Sequence, residues 1–329
     1  MLRWSAMATF APGNIFAGRY EILGVIGQGG MGSVYRARHT GLRKEVALKI
    51  LGAATVADGE ARFEREARAI GKLDHPSCVR VLDYGRTKRH QYLAMHLLDG
   101  PTLAAVLRPG RLPIAQSVRV TRNLLSALVH AHSRGVLHRD IKPENVMLVG
   151  SGSRAVLIDF GLAHLHDDAP LTAQGMCIGS PSYLAPERLD GHPHDERADL
   201  FAVGVILYEM LAGARPFVGR SVEEILQHCR ERPPRPLRAI RRDISGPLDS
   251  LVVRALAKDP ARRFESAEDM LAALDDIPVL EQLAVHTVTA AREEQATTMI
   301  ALAVQLPSWR SRLWSWLRFG RWRWSSARR

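Results

Sequence analysis

The sequence predicts an α+β protein of two unequal lobes, a small antiparallel sheet with one important helix followed by a larger, mainly helical lobe. Two observations carry this expectation. Short runs rich in β-branched and aromatic residues fill residues 20–98, whereas beyond Gly100 the apolar residues recur at helical spacing. The change of texture happens once, near 98–100, and no internal repeat interrupts it.

The elements follow in order. Residues 20–38 read as two strands around a glycine-rich turn, and 45–51 as a third strand. Residues 61–73 carry Phe63, Ala67, Ile70 and Leu73 on one helical face. Two more strands are expected at 78–84 and 91–97. Beyond the seam, Ile114, Val118, Thr121, Leu125, Leu128 and His132 form a long buried stripe of one helix. A short hairpin, 145–149 with 155–159, interrupts the helices, which then continue to about 276.

Four sets of residues on these elements point to chemistry. The first is Gly27, Gly29 and Gly32, with Val34 just after, inside the first hairpin. Glycines let a backbone approach phosphate closely and donate N–H groups to it. A dinucleotide fold would place such a turn between strand and helix, so this one is of another kind. The second set is Lys49, in an otherwise apolar strand, with Glu66 on the helix that follows. Glu66 falls about 60° from Phe63 on the helical wheel, near the apolar stripe. A carboxylate there needs a cation, and Lys49 is the expected partner.

The third set is Asp140, Lys142 and Asn145, and the fourth is Asp159. Asn145 opens one strand of the second hairpin and Asp159 closes its antiparallel neighbour, so both belong at one end. Two oxygen ligands converging there suit Mg²⁺. Asp140, five residues ahead of Asn145, is then near the same edge, able to accept the proton of an incoming hydroxyl.

Together these residues resemble the signature of eukaryotic-like Ser/Thr protein kinases of the kind common in bacteria, the PknB type with its Hanks-type kinase domain. The resemblance covers residues 20–277, with a small lobe at 20–98 and a large lobe at 99–277, and implies the two-lobed protein kinase-like fold. It implies ATP as phosphoryl donor, with Gly27, Gly29, Gly32 and Val34 over the nucleotide. Ala47, Met95, Leu97 and Met147 complete the nucleotide pocket; Met95 precedes the adenine-contacting stretch 96–98. Lys49 reaches the α- and β-phosphates and pairs with Glu66. Asp140 is the catalytic base, Lys142 steadies the γ-phosphate, and Asn145 and Asp159 hold Mg²⁺, with Mn²⁺ as an alternative. Glu187 pairs with Arg263, and Asp199 anchors the catalytic-loop backbone.

Lys142 marks the serine/threonine class, so the implied substrates are Ser and Thr hydroxyls of proteins, including the chain's own activation segment. There Thr172 is the uncommitted hydroxyl and Arg139 a ready cation for its phosphate. Gly179-Ser180 stands where the family has Gly-Thr, and His96 where it often has glutamate. Two other classes are a catalytically inactive ATP-binding scaffold (a pseudokinase) recruited through its tail and a nucleotide-binding sensor. The scaffold is expected to have lost Lys49, Asp140 or Asp159, and the sensor would not need Asp140. A homodimer is compatible with the resemblance.

The ends are less informative. Residues 1–19 read as an extension without the apolar core of a signal peptide, and no run is long enough to span a membrane. Cys78, Cys177 and Cys229 form no CxxC pair, which fits a reducing, cytoplasmic setting. His164, His166, Asp167 and Asp168, and likewise His192 and His194, read as solvated loop residues. After a linker at 278–306, the tail 307–329 holds seven arginines, no acid, and five of the six tryptophans. Trp309, Leu313, Trp316 and Leu317 would share one helical face, as in an interfacial helix on anionic lipid at the membrane periphery. Nucleic acid stacking on the indoles is the rival partner, and a solvated basic extension the plainest reading.

Overall fold

The computed structural model describes residues 10–29, 32–52, 59–150, 152, 154–160 and 181–277. All of them fall within one compact unit, residues 1–280.

The small lobe is a six-stranded antiparallel sheet in the order β1-β2-β3-β4-β6-β5. Its strands are β1 (Ile15–Phe16), β2 (Tyr20–Gly29), β3 (Gly32–His39), β4 (Glu45–Gly52), β5 (Val81–Arg86) and β6 (His90–His96). Alternation sorts the side chains of β4 to two faces. Val46, Leu48 and Ile50 join Tyr20, Ile22, Tyr35, Tyr92 and Ala94 in one apolar cluster. Ala47 and Leu51 lie in the other, with Leu93 and Met95 of β6. Lys49, between Ala47 and Leu51 in the alternation, therefore shares the second face. Both faces are covered, which is why β4 reads as a near-continuous apolar run. Helix α1 (Gly59–Ile70) covers the second face through Phe63, Ala67 and Ile70, each at most 3% exposed. Burial of each larger side chain contributes roughly 1.5–3 kcal/mol.

Two sequence expectations shift here. The sheet begins upstream of residue 20, because Ile15 and Phe16 pair with Glu21 and Tyr20. The fifth strand starts at Val81 and not at 78. The backbone of 77–79 is engaged elsewhere: Val79 N–H donates to Leu157 O and Leu157 N–H to Ser77 O, each at 2.9 Å. This stretch thus ties the small sheet to the hairpin of the large lobe.

The large lobe holds α2 (Leu103–Leu107), α3 (Ile114–His132), the hairpin β7 (Val146–Val149) and β8 (Arg154–Leu157), α4 (Pro186–Leu189), α5 (Glu196–Ala212), α6 (Val222–Glu231), α7 (Gly246–Ala255) and α8 (Ala267–Asp275). The predicted stripe of α3 is buried, with Thr121, Leu125 and Leu128 fully so. Helix α5 is apolar nearly all round and buried from Ala198 to Tyr208, the sign of a helix inside the core. Asp195 caps it by accepting from Ala198 N–H at 3.1 Å. Between the lobes, Gly100 adopts φ +149°, and a Cβ there would lie 2.0 Å from Leu148 O. Only glycine lets the chain cross that closely over β7. Among the described residues no helix is long and apolar enough to cross a membrane.

Candidate active site

The β2–β3 hairpin brings the predicted glycines together, with Gly27 opposite Val34 and Gly29 opposite Gly32. Gly32 packs so closely on β4 that a Cβ would lie 2.3 Å from Ile50 O. Val34 pairs in register with Lys49, and Ala47 with Met95. Val34, Leu97 and Met147 are partly exposed and pack against the same cluster that holds Ala47 and Met95. The five apolar residues expected around a nucleotide base thus belong to, or pack against, one apolar cluster.

The polar residues come from the hairpin end opposite. Asn145 closes a 3₁₀ turn, Pro143–Asn145, immediately before β7, and Asp159 follows β8 by two residues. Val146 pairs with Leu157, and Ile158 N–H donates to Asn145 O at 3.0 Å, which places Asn145 and Asp159 at one end as the antiparallel reading requires. Asp140 Oδ2 accepts from Lys142 Nζ at 2.7 Å and from Asn145 Nδ2 at 2.9 Å, and Asn145 Nδ2 also donates to Asp140 O at 2.8 Å. Asn145 spends its amide nitrogen on Asp140, and its side-chain oxygen takes no part in these bonds. Oxygens of Asn145 and Asp159 are the hard donors that Mg²⁺ favours, so the residues present fit such an ion. Among the described residues no larger group of His, Cys, Asp or Glu is placed to hold a metal.

One pairing differs from expectation. Lys49 Nζ is ion-paired with Asp159 Oδ1 at 3.0 Å, while a Glu66 oxygen lies 3.7 Å from Arg139 Nη1. The helical wheel identified the correct face for Glu66 but not which cation that face meets. Asp159 reaches Lys49 from a left-handed backbone at φ +61°, and Arg139 is likewise left-handed at φ +67°. Such conformations cost free energy for non-glycine residues and persist where surrounding structure over-determines them.

That surrounding structure is visible. Asp199 Oδ2 accepts the His138 backbone N–H and Asp199 Oδ1 that of Arg139, both at 2.9 Å. His138 is fully buried, and burial pushes its imidazole below the usual value. The neutral ring fits its bonds: Nδ1 accepts from Asp140 N–H at 3.3 Å, leaving Nε2–H to donate to Ile158 O at 3.0 Å. The ring therefore links the loop that carries Asp140 to the strand end that carries Asp159.

Away from the cleft, Glu187 and Arg263 meet as expected. The guanidinium donates to both carboxylate oxygens, at 2.7 and 2.6 Å, with Arg263 fully buried. Its remaining donors reach the carbonyls of Ala257, Arg197 and Lys258, so all five N–H groups are used.

A sequence profile described as "Protein kinase domain" matches residues 20–273. The chain belongs to the protein kinase family. As a protein kinase domain it is 41% identical over 279 residues to serine/threonine-protein kinase pkn3 of Myxococcus xanthus, covering 80% of this chain and 51% of that protein. It is 37% identical over 287 residues to PknD of Mycobacterium tuberculosis, covering 86% and 42%. With PknJ of the same organism the identity is 39% over 265 residues, covering 78% and 45%. The chain thus spans about half, or less, of the length of these curated relatives.

Several expectations lie outside the described residues: Ser180, Thr172, Cys177, the His164–His166–Asp167–Asp168 group, and the tail. His194 is a correction. Read as solvated, its side chain is only 9% exposed and its Nε2 lies 3.0 Å from Asp199 Oδ1. The available signal was its place just ahead of the Asp195 helix cap, five residues before Asp199. Cys78 and Cys229 are buried, which pushes their thiols up to about 12 and about 11, so neither is a nucleophile at neutral pH.

Proposed function

We propose that this chain is an ATP-dependent protein kinase that transfers the γ-phosphate to Ser and Thr hydroxyls of proteins. One observation carries the reading: Asp140, Lys142 and Asn145 are bonded into one cluster at the hairpin end that also bears Asp159, 3.0 Å from Lys49. Each residue then has a distinct task. Asp140 orients the incoming hydroxyl and accepts its proton. Lys142, held 2.7 Å from Asp140, neutralises the γ-phosphate beside that hydroxyl. The new O–P bond forms in line as the bond to the β-phosphate bridge breaks, and ADP leaves. Lys49 supports the α- and β-phosphates, and Val34, Ala47, Met95, Leu97 and Met147 provide the apolar slot for adenine. Asn145 and Asp159 would hold Mg²⁺, which when bound neutralises phosphate charge. Incubating purified protein with labelled ATP, Mg²⁺ and a protein substrate, then mapping phosphosites, tests the reading. Label on Ser or Thr supports it, and no transfer by the wild type sinks it.

We also infer autophosphorylation at Thr172. Its support is a pair of arginines on the described side. Arg139 Nε and Arg188 Nε are buried with no hydrogen-bond partner among the described residues. Burial, then the nearby Arg139, push the Arg188 guanidinium below its usual value. Two cations in proximity, each with a buried Nε–H left without a hydrogen-bond partner among these residues, suit a phosphate. Thr172→Ala should slow transfer severalfold, and full activity in that variant would count against the assignment.

For residues 307–329 the reading as an interfacial element on anionic lipid, beside the plainer solvated extension, rests on the arginine and tryptophan content alone. Vesicle co-sedimentation of the full chain should need anionic lipid and weaken with salt. A chain cut after Leu306 should stay in solution yet still phosphorylate a peptide. Equal pelleting of both chains would remove the membrane reading, and retention of nucleic acid in a parallel assay would favour its rival.

A further inference from the structure

Asp199 sits in the first turn of α5, 1% exposed, and each of its carboxylate oxygens carries two contacts. Oδ2 faces the His138 backbone N–H and, at 3.0 Å, Nε2 of His132 from the last turn of α3. Oδ1 faces the Arg139 backbone N–H and, at 3.0 Å, Nε2 of His194 from the loop between α4 and α5. A carboxylate accepts and never donates, so both imidazoles must present N–H at Nε2. Burial alone would raise the Asp199 pKa, but His194 and His132 outweigh it and hold the carboxyl well below its usual range. One buried anion thus joins three segments: α3, the catalytic loop, and the loop that follows the Glu187 turn.

The two imidazoles do not do the same work. His132 lies on a long helix packed in the core, and its position is secured by its neighbours. His194 lies in a short irregular loop, yet its side chain is 9% exposed. We propose that His194 is a positioning residue for phosphoryl transfer: by donating to Asp199 Oδ1 it fixes the carboxylate rotamer that holds the His138 and Arg139 amides, and so the placement of Asp140. The effect is indirect, since His194 touches no reacting atom. It is greatest where the backbone most needs restraint, at Arg139, whose left-handed φ of +67° is otherwise unfavourable. Without the imidazole N–H, Oδ1 would keep one donor of two and the carboxylate could rotate, releasing that strain at the catalytic loop.

This assignment rests on the kinase reading, and its test separates the two. The full chain is compared with His194→Leu, which fills space without donating, and His194→Gln, whose amide N–H can reach the same oxygen. If the leucine variant does not fold, His194→Ala takes its place. Steady-state kinetics on a peptide, well below the melting point of each variant, should show kcat lowered on the order of tenfold by leucine. KM for ATP should be unchanged, and glutamine should recover most of the loss. Amide hydrogen exchange at His138 and Arg139 should quicken by a similar factor in the leucine variant and return toward wild type with glutamine. Wild-type exchange in the leucine variant would overturn the proposal, as would a kcat equal to wild type. A wild type that transfers nothing would defeat the kinase reading, while the exchange arm would still decide whether His194 positions the loop.

Discussion

The cleft and the base of the large lobe treat buried charge in opposite ways. In the cleft, Lys49, Asp159, Glu66 and Arg139 remain 11–35% exposed at the side chain, and their ion pairs are 3.0 and 3.7 Å long. At the base, Arg263 and Asp199 are at most 1% exposed, with every guanidinium donor and both carboxylate oxygens engaged. A saturated buried charge is fixed, because moving it would strand several partners at once. A partly exposed charge held by fewer bonds can exchange partners at lower cost. Under the proposed kinase reading, the difference separates groups that hold the loop of Asp140 from groups that would meet phosphate and hydroxyl in turn.

That contrast can be broken by exchanging the effects of mutation. Asp140→Asn should lower kcat by about 10²–10⁴-fold, because a general base is lost, while nucleotide binding and melting temperature stay near wild type. A transfer rate equal to wild type would remove Asp140 as the base. Glu187→Gln should do the reverse. It leaves Arg263 as a fully buried, half-compensated cation, which costs about 3 kcal/mol and on the order of 10 °C in melting temperature. Activity of the folded fraction at low temperature should survive. A stable but inactive Glu187→Gln variant would show that base and cleft are not separable in this way.

A finer test lies at Lys258, an exception within the base. Its ammonium sits 3.6 Å over the Phe217 ring, and burial pushes its pKa down to about 8. The sign follows from linkage: between about pH 8 and the unfolded value near 10.4, the unfolded chain binds more protons, so this group adds stability as pH rises. Below about 8 the folded state carries an unfavourable buried cation. Lys258→Met should therefore be relatively more stable at pH 7 than at pH 9.5, a difference of about 2 °C read by thermal melts at both values. Parallel melting curves against pH would show that Lys258 titrates normally.

How much of this was legible in sequence depended on the range of each interaction. The β7–β8 hairpin was readable because antiparallel pairing of near neighbours obliges Asn145 and Asp159 to share an end. The Glu66 face was readable from helical periodicity, and Lys49 from its place in an apolar strand. The start of β5 was not readable, because residues 77–79 gave their hydrogen bonds to β8, some eighty positions away. His194 was misread as solvated, since its one local signal, the place just ahead of the Asp195 cap, does not by itself show that its loop folds back on Asp199.

The sequence by itself determined the two-lobed α+β order, the glycine hairpin, and the identity and spacing of Lys49, Asp140, Lys142, Asn145 and Asp159. Those follow from local periodicity, turn chemistry and motif spacing, which need no knowledge of distant neighbours. Tertiary structure alone decided which charges meet: Lys49 with Asp159, Glu66 near Arg139, and two imidazoles on one buried aspartate. Charge pairing acts across several ångströms in any direction, so it is settled by how whole elements pack, and several packings are compatible with the same local pattern.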